Sequence, residues 1–176
     1  MLSIVADIAS LLQHKNTLKT QPEIYVVRQC IYCGKLGAWC HGFRDRKSDR
    51  ENIDKNPISI LRMYCPHCHR TFSVLPECIP PRRWHLWETQ QQALQLFLAG
   101  MSFLGISKKL NPSRWTISRW ICQWKEAFSQ QSMHLKSHDS SLGYCASFEK
   151  FWSTLLEKIS LSKAMYQLWT VNCPIP

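Results

Sequence analysis

CIYCG at residues 30–34 and CPHCH at residues 65–69 each place two cysteines three positions apart. Two intervening residues allow a tight turn to aim both sulfurs at one point, so two such turns can supply four sulfurs to one ion. Structural zinc prefers four thiolate or imidazole ligands in a tetrahedron. The two pairs therefore predict one structural Zn²⁺ held by Cys30, Cys33, Cys65 and Cys68.

The segments on either side of each cysteine pair have the composition of short strands. Strands are predicted over 23–28, 36–41, 58–64 and 71–75. The spacer between Cys33 and Cys65 has 31 residues, which is longer than the roughly 15–20 of a compact zinc ribbon. A polar stretch of mixed charge at 43–57 accounts for the excess as a predicted solvated loop. Residues 23–81 are therefore expected to form a small β zinc ribbon.

The cysteine pairs also have competing interpretations. A single Cys-x-x-Cys pair would suit a redox dithiol, but two pairs flanked by strands favour a metal. The chain has nine cysteines, an odd number that excludes complete disulfide pairing within one chain. Buried, inert cysteines are a further interpretation. The nearby side chains that could replace one of the four ligands are Cys40, His41, His67, His69 and Cys78.

The spacing of apolar residues changes after a proline-rich hinge near 76–81. From Trp84 onward the spacing is helical, and breaks at 100–102 and 111–113 divide the region. The predicted helices are 86–98, 103–110 and 114–129. We interpret residues 82–129 as a helix-turn-helix unit, with a plain three-helix bundle as the alternative.

Charge and composition favour a polyanionic partner. The formal net charge is +10 and the pI is about 9.3, which is typical of proteins that bind nucleic acid. In a helix-turn-helix, the start of the second helix of the pair enters the major groove of double-stranded DNA. The residues predicted to contact DNA there are Ser113, Arg114, Thr116, Ser118 and Arg119.

Four further basic residues are candidate DNA contacts. Lys108 and Lys109 are expected to flank the phosphate backbone. Arg82 and Arg83 follow two prolines, and they form either an extended arm that enters a minor groove or a solvated linker.

Both ends of the chain are expected to be helical. The spacing of apolar residues in 2–13 predicts an amphipathic helix, within an N-terminal segment 1–22 that leads into the ribbon. In the C-terminal segment 130–176, residues 130–143 have linker composition and 145–159 predict a strongly amphipathic helix. The apolar face of that helix would either form a homodimer or pack on the same chain. The expected fold class is α+β, with a zinc ribbon, a three-helix unit and a C-terminal helix in that order.

The order of these motifs resembles the N-terminal region of bacterial insertion-sequence transposases. The resemblance rests on CIYCG, WCHGFRDR, ILRMYCPHCHRTFSVLP and the Trp-rich helix that ends in ISRWICQW, over roughly residues 28–125. The chain is similar to InsA-type zinc-ribbon/helix-turn-helix proteins and closer still to an uncharacterised transposase-associated zinc-ribbon family. The resemblance implies recognition of transposon ends or of a promoter. It also implies that the four cysteines bind zinc and that 113–119 begins the recognition helix.

A complete transposase adds an acidic catalytic triad on an RNase-H-like sheet. Only 46 residues follow residue 130, and three of them are acidic, so no such domain is expected and the chain is not expected to be an enzyme. The sequence also lacks the motifs of phosphate-binding loops, zinc hydrolases and nucleophile elbows. The chain is expected to be a stand-alone DNA-binding protein or a fragment whose catalytic transposase subunit is encoded elsewhere.

The rival function is that of a protein–protein adaptor or a regulatory subunit of a transposase. Neither a secretory signal nor a membrane span is expected from the sequence. These features predict a protein of the cytoplasm that associates with the nucleoid.

Overall fold

The computed structural model describes residues 2–5, 7–47, 57–81, 85–171, 173 and 175. The chain divides into two compact units, Met1–Leu86 and Trp87–Pro176. The first unit holds a sheet and the second is helical, which confirms the predicted α+β class. The boundary lies a few residues beyond the predicted one, because Leu86 packs on an apolar cluster of the first unit.

A four-stranded sheet forms the frame of the first unit. Its strands are β1 (Leu2–Val5), β2 (Trp39–Arg46), β3 (Ile58–Cys65) and β4 (Arg70–Pro76). The spatial order is β1-β4-β3-β2, with β1 parallel to β4 and the other pairs antiparallel. Strands β3 and β4 confirm the predictions at 58–64 and 71–75.

The second predicted strand begins later and runs further than expected. It starts at Trp39 and ends at Arg46, so the first part of the polar stretch 43–57 is strand and not loop. Pairing with β3 supplies the reason, since Arg46 lies opposite Ile58 and extends the ladder through polar residues. Residues 48–56 of that stretch lie outside the described residues.

Both faces of β3 are partly covered, because successive side chains of a strand point to opposite faces. Leu61 and Met63 belong to one buried cluster together with residues of β4. Ile58 and Ile60 belong to a second cluster that includes Leu75. The two clusters give the thin sheet apolar contacts on either side.

The predicted helix at 2–13 is wrong. Residues Leu2–Val5 form an edge strand that pairs with β4, and the helix α1 begins only at Leu11 and ends at Thr20. Two local features separate them: Asp7 has a left-handed backbone with φ of 62°, and the Ser10 hydroxyl accepts a hydrogen bond from the Gln13 amide as an N-cap. The helical spacing in the sequence therefore spanned two elements.

The predicted strand at 23–28 is also wrong. Pro22–Tyr25 is a short 3₁₀ helix, which the fixed φ of Pro22 at its first position favours. This turn buries Tyr25, whose hydroxyl lies 2.5 Å from Nδ1 of His14 in α1. Nε2 of His14 lies 3.0 Å from the carbonyl oxygen of Ser59. Since a carbonyl only accepts, Nε2 carries the proton and Nδ1 accepts from the Tyr25 hydroxyl.

His14 should make the stability of the first unit depend on pH. Burial lowers the pKa of His14 below its ordinary 6.5, with a nearby Lys15 acting in the same direction and the Ser59 carbonyl opposing it. Between the two pKa values, His14 therefore binds a proton in the unfolded chain but not in the folded chain. The stabilisation is complete above about pH 6.5 and is lost as pH falls through the lowered pKa of the folded state.

We predict that His14→Leu lowers the free energy of unfolding by about 1–3 kcal/mol at neutral pH, since it leaves the Tyr25 hydroxyl and the Ser59 carbonyl without this partner. The unaltered chain should lose stability between pH 7 and pH 5.5 by more than the variant does. Urea titrations with saturating Zn²⁺ at both values measure this difference. His138→Gln, which changes an exposed histidine of the second unit, should behave like the unaltered chain.

The second unit consists of five α-helices among the described residues. They are α2 (Trp87–Leu98), α3 (Phe103–Lys109), α4 (Arg114–His138), α5 (Phe148–Lys158) and α6 (Leu161–Thr170). The bounds of α2 and α3 agree with the predicted helices. Serine N-caps begin α3, α4, α5 and α6, each through a side-chain hydrogen bond. No helix in the described part of the chain is long and apolar enough to span a membrane.

A single apolar core holds these helices together. On α4, Ile117, Trp120, Ile121 and Trp124 are buried in it, as the helical spacing predicts. The apolar face of the predicted helix at 145–159 is buried in the same core, through residues such as Phe151 and Trp152 of α5. That face packs within its own unit, so it does not offer an exposed surface for a homodimer.

The predicted linker at 130–143 is wrong for most of its length. Helix α4 continues to His138 and a 3₁₀ helix covers Ser140–Tyr144. Although the stretch is polar, its buried residues Gln131, Ser132 and Leu135 recur at helical spacing and face the core. Packing of these three side chains on the core therefore stabilises a helix in a stretch whose composition resembles that of a linker.

Leu135→Ala should lower the free energy of unfolding of the helical unit by about 2–5 kcal/mol, because Leu135 is fully buried and its truncation leaves a cavity. Met133→Ala is the matched control, since Met133 on the same stretch is 64% exposed. Thermal unfolding followed by circular dichroism compares them. Equal and small effects of the two substitutions would contradict the burial of this part of α4.

Candidate functional site

The four cysteines of the two pairs meet at one point in the first unit. The sulfurs of Cys30, Cys33, Cys65 and Cys68 all lie within 4.8 Å of one another. Sγ of Cys30 is 3.6 Å from Sγ of Cys68, and Sγ of Cys33 is 3.7 Å from Sγ of Cys65. These distances are far longer than a disulfide bond of about 2.05 Å, and all four cysteines are free.

The spacing of the sulfurs fits a tetrahedral ion. With metal–sulfur distances of about 2.3 Å, the edges of a tetrahedron of sulfurs measure roughly 3.8 Å. The close pairs of this cluster lie near that value. Four soft thiolate donors are also the set that structural zinc sites use. The cluster can therefore hold one metal ion, with every coordination position filled by the protein.

The first cysteine pair lies in a turn that the backbone closes tightly. The Cys30 amide donates to the Lys35 carbonyl at 2.9 Å, and the Gly34 amide donates to the Cys30 carbonyl at 2.8 Å. Gly34 adopts φ of 70°, which glycine reaches without strain. The Tyr32 amide points at Sγ of Cys30 at 3.4 Å. Backbone donors thus surround the sulfur of Cys30 and stabilise its thiolate.

The second cysteine pair lies in the turn between β3 and β4. Cys65 ends β3 opposite Arg70, and Cys68 sits in the turn between them. His69 has φ of 54°, a left-handed residue that reverses the chain before β4 begins. The side chain of Arg70 covers the Tyr32 ring of the first turn at 5.2 Å. A cation–π contact therefore joins the two turns in addition to the sulfurs.

The thiols of the cluster do not ionise alike. Burial opposes ionisation of Cys30, but backbone hydrogen bonds from Cys33 and Tyr32 and hydrogen bonds from neighbouring thiols outweigh it and lower its pKa to about 6. Burial raises the pKa of Cys68 to about 12, helped by the neighbouring thiols. The Cys30 thiol therefore loses its proton more readily than the Cys68 thiol. Because a divalent cation binds thiolates, metal binding at the cluster is coupled to the release of protons.

The other cysteines and histidines of the region stand outside this cluster. Cys78 is buried in the second apolar cluster, where burial raises its pKa to about 12. Cys40 is exposed on β2. The described group that can hold a metal comprises the four paired cysteines, without the alternative ligands Cys40, His41, His67, His69 and Cys78.

Removal of the metal should unfold the first unit and leave the second unit folded. A structural Zn²⁺ contributes on the order of 10 kcal/mol to a small domain, and Cys30 and Cys65 belong to the apolar cluster under the sheet. The helical unit has its own core, to which none of the four cysteines belongs. A chelator should therefore abolish amide protection against hydrogen exchange in β3 and β4 while the amides of α4 stay protected.

Cys68→Ser should lower the metal content of the purified chain and reproduce the effect of the chelator. Cys40→Ser is the matched control, since Cys40 is a nearby exposed thiol outside the cluster. Atomic absorption measures the metal and hydrogen exchange measures the fold. Unchanged protection of β3 and β4 after complete removal of metal would contradict a structural role.

The first turn of α4 presents polar and basic side chains to solvent. Ser113 accepts from the Thr116 amide at 3.2 Å as the N-cap, and its hydroxyl lies 3.1 Å from the Thr116 hydroxyl. Arg114 and Arg119 are exposed, and Thr116 and Ser118 are half-buried. Lys108 and Lys109 are exposed at the end of α3. Arg82 and Arg83 lie outside the described residues.

An exposed tryptophan lies beside these side chains. Trp115 is 72% exposed, and the guanidinium of Arg114 lies 4.8 Å from the centre of its ring. A surface pocket is lined by Phe103, Leu104, Arg114, Trp115 and Ser118. Leu104 at this pocket is 52% exposed. The surface at the start of α4 is therefore both basic and apolar.

A second cluster, which is aromatic and partly exposed, was not predicted from the sequence. The rings of Trp39, His41 and Tyr64 are mutual neighbours, with centroids 5.3–5.8 Å apart. The Tyr64 hydroxyl bonds Nδ1 of His69 at 2.9 Å. Trp39 and His41 alternate along one strand while Tyr64 precedes Cys65, so the signal becomes visible only once the register of β2 and β3 is known.

The sequence matches the family described as a domain of unknown function (DUF6431) over residues 30–120. The match covers more than half of the 176 residues, and the chain belongs to this family. The matched segment contains all four paired cysteines and the first turn of α4. Searches of the curated proteins and of the solved structures gave no significant match.

Proposed function

We propose that the chain is a non-enzymatic DNA-binding protein of a mobile element, in which a structural Zn²⁺ shapes a ribbon and α4 reads double-stranded DNA. In this proposal α2, α3 and α4 form a helix-turn-helix with α4 as the recognition helix. The DNA would be a transposon end or a promoter, as the resemblance to insertion-sequence transposases implies.

The observation that carries the proposal is the two-sided character of α4. One side buries Ile117, Trp120 and Ile121, and the other exposes Arg114 and Arg119 at the start of the helix. A rigid helix with its basic first turn free and its apolar side anchored is the arrangement that inserts into a major groove. Burial of the apolar side also fixes which side chains face the DNA.

The two exposed arginines have different surroundings, which suggests different roles. Arg119 is exposed on the second turn of α4, where a guanidinium can bond O6 and N7 of guanine. Arg114 already lies over the Trp115 ring, which holds its guanidinium near the helix start. An anchored guanidinium at that place suits a phosphate contact, since phosphates position a protein and bases specify the site.

The charge of the chain supports a polyanionic partner. The excess of Lys and Arg over Asp and Glu is +10 for the whole chain. Residues 87–129 hold five Lys or Arg and two Glu, so the segment proposed to form the helix-turn-helix carries part of this excess. Phosphate neutralisation by such residues releases counterions and makes affinity depend steeply on salt.

We predict that Arg119→Ala weakens binding to the cognate site by about 1–3 kcal/mol and weakens discrimination between sites. Arg114→Ala should weaken binding to cognate and unrelated duplexes alike, because a phosphate contact carries no sequence information. It should also lower the salt dependence of the affinity. Selection of bound sequences from a random duplex pool identifies the site, and fluorescence anisotropy over a range of salt measures the affinities.

Lys150→Ala is the matched control for the loss of one positive charge. Lys150 is an exposed residue of α5 within the same helical unit. Its substitution should leave the affinity for the selected duplex nearly unchanged. Equal losses of affinity for Lys150→Ala and Arg119→Ala would show a nonspecific charge effect. A random pool from which no sequence is enriched would refute DNA recognition by α4.

The apolar surface at the start of α4 favours a second candidate function. Leu104 and Trp115 expose much of their area next to the pocket described above. Exposed apolar side chains of this size are typical of protein-binding surfaces. The chain would then be an adaptor or a regulatory subunit that binds a catalytic transposase subunit. Duplex binding that is absent or insensitive to salt would favour this alternative.

A further inference from the structure

We propose that the sheet face carrying Trp39, His41 and Tyr64 binds single-stranded nucleic acid by stacking against its unpaired bases. This surface, the aromatic face, lies on β2 and β3 in the first unit and is separate from the residues assigned to duplex recognition. The proposal does not require that α4 reads duplex DNA.

The strand register places these rings on one face of the sheet. Trp39 lies opposite Tyr64, and Tyr64 lies opposite Thr71 of β4. Residues that are directly paired across strands share a face. His41 joins them at a register irregularity between Cys40 and Phe43, where its ring contacts both neighbours. His41 follows Trp39 by two residues on β2, so its ring lies on the same face of the sheet.

Trp39 and His41 are exposed and Tyr64 is half-buried, although the three rings touch one another. Trp39 and Tyr64 meet in a T-shaped contact with ring centroids 5.3 Å apart. In that geometry an edge meets a face, so the rings do not cover each other as a stacked pair would. Trp39 remains 49% exposed with two ring neighbours. Nucleobases stack on such rings whatever their sequence, because every base has a π face.

Two arginines lie on the same face of the sheet as the aromatic rings. Arg62 lies two residues from Tyr64 on the same strand and therefore on the same face. Its Nη2 donates to the Thr71 hydroxyl at 3.0 Å, which holds the guanidinium beside the rings. Arg44 lies opposite Ile60, on that face as well. These guanidinium groups can contact the phosphates of a strand whose bases rest on the rings.

The charge of the surrounding segments also matches a polyanion. Residues 24–44 and 57–76 contain no Asp or Glu, and their Lys and Arg residues number five. A Zn²⁺ ion with four thiolates has a formal charge of −2, so the segments stay positive with the metal bound. A combination of aromatic rings and cationic side chains is the pattern of single-strand binding surfaces.

Unpaired bases explain the aromatic residues better than a duplex does. In B-DNA the faces of the bases are stacked on one another, and proteins reach only base edges and phosphates. Exposed rings add nothing to phosphate contacts. The aromatic face is therefore suited to frayed ends, gaps or displaced strands, where base faces are free.

The decisive experiment measures binding of fluorescein-labelled oligo(dT) to the zinc-loaded full chain by anisotropy at low salt. Trp39→Leu should weaken this binding by about tenfold or more, because stacking is lost. Trp39→Phe should retain most of it. Phe43→Leu is the matched control, since Phe43 is 56% exposed on β2 but pairs with Leu61, whose side chain points to the opposite face of the sheet from that of Tyr64. It should change the affinity less than twofold.

A further pair of measurements separates this proposal from duplex recognition. Arg119→Ala should leave the affinity for oligo(dT) unchanged, whatever it does to a duplex. Trp39→Leu should leave the affinity for a blunt-ended duplex unchanged. If oligo(dT) does not bind, or if Trp39→Leu and Phe43→Leu weaken it equally, the proposal is wrong even when α4 binds duplex DNA.

Photocrosslinking of the unaltered chain covers the case in which a variant fails to fold. Irradiation of a bound oligonucleotide that contains 5-bromodeoxyuridine should attach it to Trp39 or Tyr64, as located by mass spectrometry. Attachment confined to residues 104–119 would overturn the proposal. So would a Trp39→Leu variant that binds oligo(dT) normally but loses self-association in light scattering, because the aromatic face would then be a protein interface.

Discussion

Four sulfurs that converge on one point hold together two turns separated by a spacer of 31 residues. The first turn has less regular structure around it, since an isolated bridge between Gln29 and Leu36 and the contact of Tyr32 with Arg70 accompany its backbone hydrogen bonds. The second turn is anchored by β3 and β4. A shared ion would therefore transmit the order of the sheet to the segment around Cys30, and with it to the residues that lead into β2.

The helical unit obeys a different constraint. Its stability rests on an apolar core to which α2, α4, α5 and α6 all contribute buried side chains. Helix α4 is the element that the others surround, because its buried residues extend from Ile117 to Leu135. The exposed basic turn at its start is thus held in place by a long helix that is packed along its length. A metal at the cysteine cluster would stabilise the first unit, and the apolar core stabilises the second.

Much of the fold could be predicted from local patterns, and the failures share a cause. The cysteine spacing identified the cluster, and helical spacing identified α2, α3 and the buried side of α4. The N-terminal strand β1 was missed because its partner Ser73 lies some 70 residues away and leaves no local trace. The C-terminal part of α4 was missed because its composition is polar, and burial of Leu135 nevertheless stabilises the helix there. The aromatic face was missed because Trp39 and Tyr64 become neighbours only through the strand register.

The pairing of Arg46 with Ile58 sets both ends of the intervening stretch, whatever its length. Once these ends are held by the ladder, lengthening the connection changes only its closure entropy, by roughly 0.6 kcal/mol for each doubling. A variant of this chain that is longer here should therefore keep the pairing of β2 with β3. The same position would accept an inserted peptide epitope or a small reporter domain, at a distance in sequence from the sulfurs, the aromatic face and α4.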